Sequence, residues 1–208
     1  MPVYLTEEIN HAVRIAIWQL TEPEDELLRL RRLSERENLC FDVLKNANRR
    51  REWLAIRLLL HHLFQGSFDL CYLLSGRPIL LEPNAYISIS HSKDFVAVAV
   101  SETRTVGVDI ERIRKNIARL QSRFLLSEEA AIIDSSDLLA LHLYWGAKEA
   151  MYKMYSEYRP LFTQHLSLSE VNYMEQTAVG IFSKDNLYKT IAVSFRQIED
   201  NLLVYCIE

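Results

Sequence analysis

The stretch TVGVDIERI, residues 105–113, decides how this chain is put together. Thr105, Val106, Val108, Ile110 and Ile113 give it the β-branched composition of a strand. Yet it also carries two acids, Asp109 and Glu111. Side chains two positions apart share one face of a strand, so both carboxylates project together. Two anions that close repel each other unless something positive lies between them: an arginine, a lysine or a metal ion. The ordinary alternative makes Asp109 a strand-end turn acid and Glu111 a partner of Arg112 or Arg114.

Upstream, AVRIAIW (12–18) reads as a strand. TEPEDELLRLRRL (21–33) reads as a helix, with an acidic first turn, Pro23 near its start and arginines at its end. Ser34 and Glu37 have the spacing of a capping box. NRRREWLAIRLLLHHLF (48–64) keeps helical periodicity until QGSFD breaks it. SGRPIL (75–80) holds a turn at Gly76 and Pro78; YISIS (86–90) and FVAVAV (95–100) are strands joined through HSKD as a hairpin.

Downstream, a helix with Phe124 and Leu125 on its apolar side is expected, then LSEEAAII, then a long helix from about Ser136 to about Tyr158. LSLSEVNYM, AVGIF, YKTIAVSF and LLVYCI read as an antiparallel meander. The order is strand, helices, strands, then strand, helix, strands. That is a mixed α/β pattern of the α+β class which runs twice.

Composition excludes several classes. The 208 residues are 49% hydrophobic and 25% charged, ordinary for a globular protein, and 5 glycines and 5 prolines leave no room for long flexible linkers. A net charge of −4 argues against a surface given over to nucleic acid. Cys40, Cys71 and Cys206 have no paired zinc spacing and fit buried or idle thiols in a reducing compartment. MPVYLTEEIN lacks the pattern of a signal peptide, and LAIRLLLHHLF is interrupted by Arg57 and two histidines, so no membrane span is expected. A cytoplasmic protein is expected.

Three clusters carry chemistry. In YWGAKEAMYKM (144–154), Trp145, Glu149 and Lys153 recur at four-residue spacing and form a row on one helix face. Alone this is an i,i+4 Glu–Lys pair on a solvated helix, worth about 0.3–0.5 kcal/mol. With Asp109 and Glu111 it makes three carboxylates able to hold a hard divalent cation, with Lys148 and Lys153 as phosphate partners. SISHSKD (88–94) sets His91 between Ser90 and Ser92 just past a strand, and a polar hairpin there can donate to phosphate. Arg49, Arg50, Arg51 and Arg57 form the third cluster, either a solvated face or an anion site. No nucleophile elbow, Walker or Rossmann glycine pattern is present.

GRP (76–78), SISHS (88–92), VGVDIE (106–111) and W-x-x-K-E-A-x-x-K (145–153), in this order and spacing, resemble the Sfp-type 4′-phosphopantetheinyl transferases. The match spans about residues 49 to 153. The resemblance implies a pseudo-dimer of two similar halves, 1–104 and 105–208, each an antiparallel sheet packed with helices, with the site at their interface. It implies transfer of 4′-phosphopantetheine from coenzyme A to a serine of an apo acyl or peptidyl carrier protein, releasing 3′,5′-ADP. Such carriers serve fatty-acid, polyketide or nonribosomal peptide synthesis. Carried over, Asp109, Glu111 and Glu149 coordinate Mg²⁺ (or Mn²⁺), and Glu149 is the base. His91 with Ser90, Arg77 and Arg51 contact the coenzyme A phosphates. Lys148 and Lys153 offset the charge that develops.

A monomer is the simplest expectation. The rivals are a relative that binds coenzyme A or carrier without catalysis, and another Mg²⁺-dependent enzyme acting on a nucleotide diphosphate. Three features depart from the pattern. Gly146 stands where serine or threonine is usual. The acid after Ser127 is Glu129 or is missing, depending on a one-residue shift. Basic residues near 36–40 are reduced to Arg36.

Overall fold

The computed structural model describes residues 3–9 and 11–208. Strands β1 (Val3–Ile9) and β2 (Val13–Gln19) form a hairpin, followed by helices α1 (Glu24–Leu30), α2 (Glu35–Asp42) and α3 (Ala47–Phe64). The Ser34–Glu37 capping box forms as its spacing predicts: Ser34 Oγ accepts from Glu37 N, and the Glu37 carboxylate accepts from Ser34 N. A small hairpin, β3 (Asp69–Tyr72) and β4 (Pro78–Glu82), precedes the expected hairpin of β5 (Tyr86–His91) and β6 (Phe95–Ser101). Strand β7 (Val106–Arg112) opens the second part, which continues with α4 (Ser127–Ile132) and α5 (Leu138–Met154). The meander follows as β8 (Leu166–Asn172), β9 (Thr177–Lys184), β10 (Leu187–Ile198) and β11 (Asn201–Ile207).

One sheet has the order β1-β2-β6-β5 and the other β7-β11-β10-β9-β8. Every pairing within them is antiparallel. Helix α3 covers the outer face of the first sheet, burying Leu54, Leu58 and Leu59 with Trp18, Val96 and Val98. Helix α5 covers the second, burying Ala147 and Met151 with Phe182, Val193 and Val204. The inner faces pack on each other through Ile15, Ile17, Phe95 and Ala97 against Val106, Val108, Ile110 and Leu203. Each large side chain so buried contributes roughly 1.5–3 kcal/mol.

Strand β7 therefore uses both faces. Its even positions fill the inter-sheet core, and Gly107, Asp109 and Glu111 turn toward α5. The helix lies so close that a Cβ on Gly107 would sit 2.1 Å from Ala150 O. Only glycine fits there. Where β5 meets β7 the sheets are joined by side chains, Ser88 Oγ accepting from Val108 N at 3.0 Å.

Two sequence expectations change. The helix expected before LSEEAAII is two 3₁₀ turns, Lys115–Arg119 and Gln121–Arg123, with Phe124 and Leu125 buried beyond them. The long helix stops at Met154, and Tyr158 falls in a further 3₁₀ turn. Arg159 then turns left-handed (φ 49°) ahead of Pro160, whose ring disfavours helix in the preceding residue. Strand β1 went unread because its alternation is carried by few apolar residues in an acidic stretch.

Candidate functional site

The site gathers where β5, β7, α3 and α5 meet. Asp109 is 4% exposed, and its Oδ1 accepts from Ser90 Oγ and from Lys153 Nζ, both at 2.8 Å. Its other oxygen, Oδ2, is buried without a partner. Lys153 also donates to Val108 O at 2.8 Å. The i,i+4 pair expected between Glu149 and Lys153 does not form as a bonded pair, because Lys153 spends its ammonium on β7.

Burial, then repulsion from Asp109, pushes Glu149 up to about 7, with Lys153 opposing. Glu111 is raised by burial and by Asp109, while Arg114, Lys153 and a hydrogen bond from the Trp145 side chain pull it down. Arg112 leaves Glu111 alone and reaches Asp94 and Asp200 instead. The three acids share a half-buried region holding more negative charge than Lys153 balances. Among the described residues no group of three or more acidic, histidine or cysteine side chains is drawn together tightly enough to hold a metal as it stands. The donor set nevertheless fits a hard divalent cation, because Asp109 Oδ2 lacks a donor and both glutamates feel the repulsion of Asp109. Gly146 keeps that oxygen uncrowded: a Cβ there would lie 3.5 Å from Asp109 Oδ2 and 2.9 Å from Val204. Helix α5 runs through Gly146 without a break.

His91 ends β5 on the side facing α3. Its Nε2 lies 2.6 Å from an Arg49 nitrogen and its Nδ1 3.4 Å from Glu52. Burial holds the imidazole below its ordinary range. Arg77 lines a cavity of about 520 Å³ together with Lys153, Tyr152, Arg159, Pro78 and Ile89. A second cavity of about 380 Å³, lined by Arg49, His91, Trp53 and Tyr72, also reaches Gly76 and Pro78. The GRP turn thus borders both.

Three expected site residues stand elsewhere. Ser90 is buried and donates inward to Asp109, so it does not join His91; alternation along β5 puts neighbours on opposite faces. Arg51 is tied to the Glu22 and Leu20 carbonyls, and Arg49 is the arginine beside His91. Lys148 is fully buried and donates to Glu129 at 2.5 Å, to Phe124 O at 2.7 Å and to Phe162 O at 3.1 Å. Burial pushes it down to about 8 against the pull of Glu129. It is a core strut remote from the phosphate role, because its neighbour Glu149 points to β7 and consecutive helix residues diverge. Arg50 and Arg57 are not a solvated face either: Arg50 forms a bidentate pair with Glu24, and Arg57 is buried over Trp53. Sequence reasoning named Arg49 only within the arginine cluster and missed its partner Glu52, although their three-residue spacing on one helix face was a visible signal.

Residues 105–201 match the family described as the 4′-phosphopantetheinyl transferase superfamily. The chain is 30% identical over 166 residues to the 4′-phosphopantetheinyl transferase HetI of Nostoc sp., spanning 67% of each protein. It is 31% identical over 115 residues to the 4′-phosphopantetheinyl transferase AcpT of Escherichia coli O157:H7, spanning 50% of this chain and 57% of that protein. Similarity to enterobactin synthase component D of Salmonella austin is 34% over 123 residues, 56% of this chain and 53% of that protein. Among the described residues no helix is long and apolar enough to cross a membrane.

Proposed function

The chain belongs to the 4′-phosphopantetheinyl transferase superfamily, and on that premise we propose that it moves 4′-phosphopantetheine from coenzyme A to a serine of an apo carrier protein. The observation that carries this reading is the surplus of buried negative charge at Asp109, Glu111 and Glu149 beside the cationic cavities around the GRP turn. We read the enzyme as Sfp-type, with both halves in one chain and the boundary between Arg104 and Thr105. A helix on the outer face of each sheet, with the sheets back to back, supports that division.

Asp109, Glu111 and Glu149 would hold Mg²⁺ or Mn²⁺, which when bound supplies neutralisation of the diphosphate and of the leaving 3′,5′-ADP. His91, Arg49 and Arg77 bind phosphate oxygens. Glu149 takes the serine proton as the serine oxygen attacks phosphorus and the bond to 3′,5′-ADP breaks. Lys153, held against Asp109 and Val108 O, offsets charge on the transferring group. Arg114, Lys115, Arg119 and Arg123 are exposed and, among the described residues, form no ion pair, which suits an acidic carrier surface.

Mass spectrometry of an apo acyl carrier protein incubated with this protein, coenzyme A and Mg²⁺ tests the reading, with EDTA as control. The expected result is the gain of one phosphopantetheine, lost with EDTA. No gain with several unrelated carriers, despite measurable coenzyme A binding, would overturn it in favour of a non-catalytic relative.

A further inference from the structure

Helix α5 meets β7 along one face, in antiparallel order. Lys153 reaches Val108 O and Asp109, and Glu149 faces Asp109 and Glu111. Trp145 lies beside Glu111, and His142, one turn further back, meets Arg114. His142 is 4% exposed. Its Nδ1–H donates to Leu138 O at 2.8 Å, which leaves Nε2 as the acceptor for Arg114 N–H at 3.2 Å. The proposed chemistry leaves this ring unused, and burial keeps it neutral by holding its basicity below the ordinary imidazole range.

The place of this contact matters. Strand pairing of β7 with β11 ends at Arg112 opposite Asn201, and Ile113 N is held by Asp200 O at 2.8 Å. Arg114 is the next residue, and its amide is held by His142, from the helix that carries Glu149. At the other end of the interface the helix is fixed by its close approach to Gly107 and by Lys153. The two attachments bracket the acids.

Resting on the transferase reading above, we infer that His142 is a positioning residue: its ring straps the exit of β7 to α5 and so fixes the strand that carries Glu111 against the helix that carries Glu149, the two carboxylates that would close with Asp109 on a divalent cation. A merely satisfied core histidine would support stability without setting metal affinity.

The experiment measures Mn²⁺ binding to the whole chain by electron paramagnetic resonance without coenzyme A, and coenzyme A binding in EDTA by calorimetry. His142→Asn keeps a local polar group but is too short to reach Arg114; His142→Gln can accept from that amide. Outer-shell partners of metal ligands are typically worth 10–100-fold in affinity, so His142→Asn is expected to weaken Mn²⁺ binding by about tenfold. Coenzyme A binding in EDTA stays unchanged, and His142→Gln recovers most of the loss. Unchanged Mn²⁺ affinity in His142→Asn overturns the inference, as does a loss that glutamine fails to recover. On the wild-type chain, Mn²⁺ is expected to raise hydrogen-exchange protection of the Arg114 amide, and no change there also overturns it. If the wild-type chain binds no Mn²⁺ at all, the transferase reading itself falls.

Discussion

Two lysines five residues apart on α5 both meet a buried carboxylate, and they do opposite work. Lys148 and Glu129 have side chains 0% and 5% exposed, and every group finds a partner. The lysine donates three times, and Glu129 also accepts from Leu126 N and Leu168 N. Lys153 is 27% exposed and its partner Asp109 keeps an orphaned oxygen, with two further acids nearby. One pair is closed and holds α5, the segment before α4 and β8 together. The other is open, and its unbalanced charge is what a ligand would complete. A buried ion pair speaks of function only when its hydrogen-bonding capacity is left unfilled.

The strongest challenge to this contrast is Asp109→Asn. Loss of a metal ligand removes several kcal/mol of transition-state stabilisation, so transfer should fall on the order of 10³-fold while the protein stays folded. Near-normal turnover, read by carrier mass spectrometry, would remove the metal assignment. Lys148→Met comes next and should act on folding: stranding Glu129 in the core costs about 3–5 kcal/mol. Denaturant melts check it, and adding Glu129→Gln should recover part of the loss. A stable Lys148→Met variant without transfer would return Lys148 to the site.

Lys153→Met should lower kcat about 10²-fold, a loss typical of one electrostatic donor. Its stability cost should be smaller than that of Lys148→Met and shrink when Mn²⁺ is added; the same cost with and without Mn²⁺ would erase the distinction between the pairs.

The smallest effect concerns pH. Glu149 is raised from 4.5 to about 7, so between those values the folded protein binds more protons than the unfolded chain. Stability of the EDTA-treated protein should therefore be full below about 4.5 and decline as pH rises to about 7, by roughly 3 kcal/mol from this group. Glu149→Gln should flatten that decline while abolishing transfer. An unchanged pH profile in that variant would show that another group carries it.

Much of the architecture was legible because it rests on local signals. Alternation in YISIS and FVAVAV, the Ser34–Glu37 box and the meander all report backbone periodicity that nearby residues enforce. The segment after Ile113 misled, because Phe124 and Leu125 are buried from 3₁₀ turns and apolar content alone does not distinguish those from a helix. At the site, the pairing of Asp109 with Glu111 and the row Trp145–Glu149–Lys153 were readable from spacing. The partners of Ser90, Arg51 and Lys148 were not, since each is set by an element distant in sequence.

Spacing along the chain was enough to read most of the strands and helices, the acids of TVGVDIERI and the motifs that mark the superfamily, because it fixes which side chains share a face of a strand or helix. Only the tertiary structure decided which lysine faces the acids, which arginine stands beside His91, and that His142 closes the interface of α5 with β7. Those choices depend on how closely α5 lies on β7 and how β5 meets it, and packing between distant segments sets both.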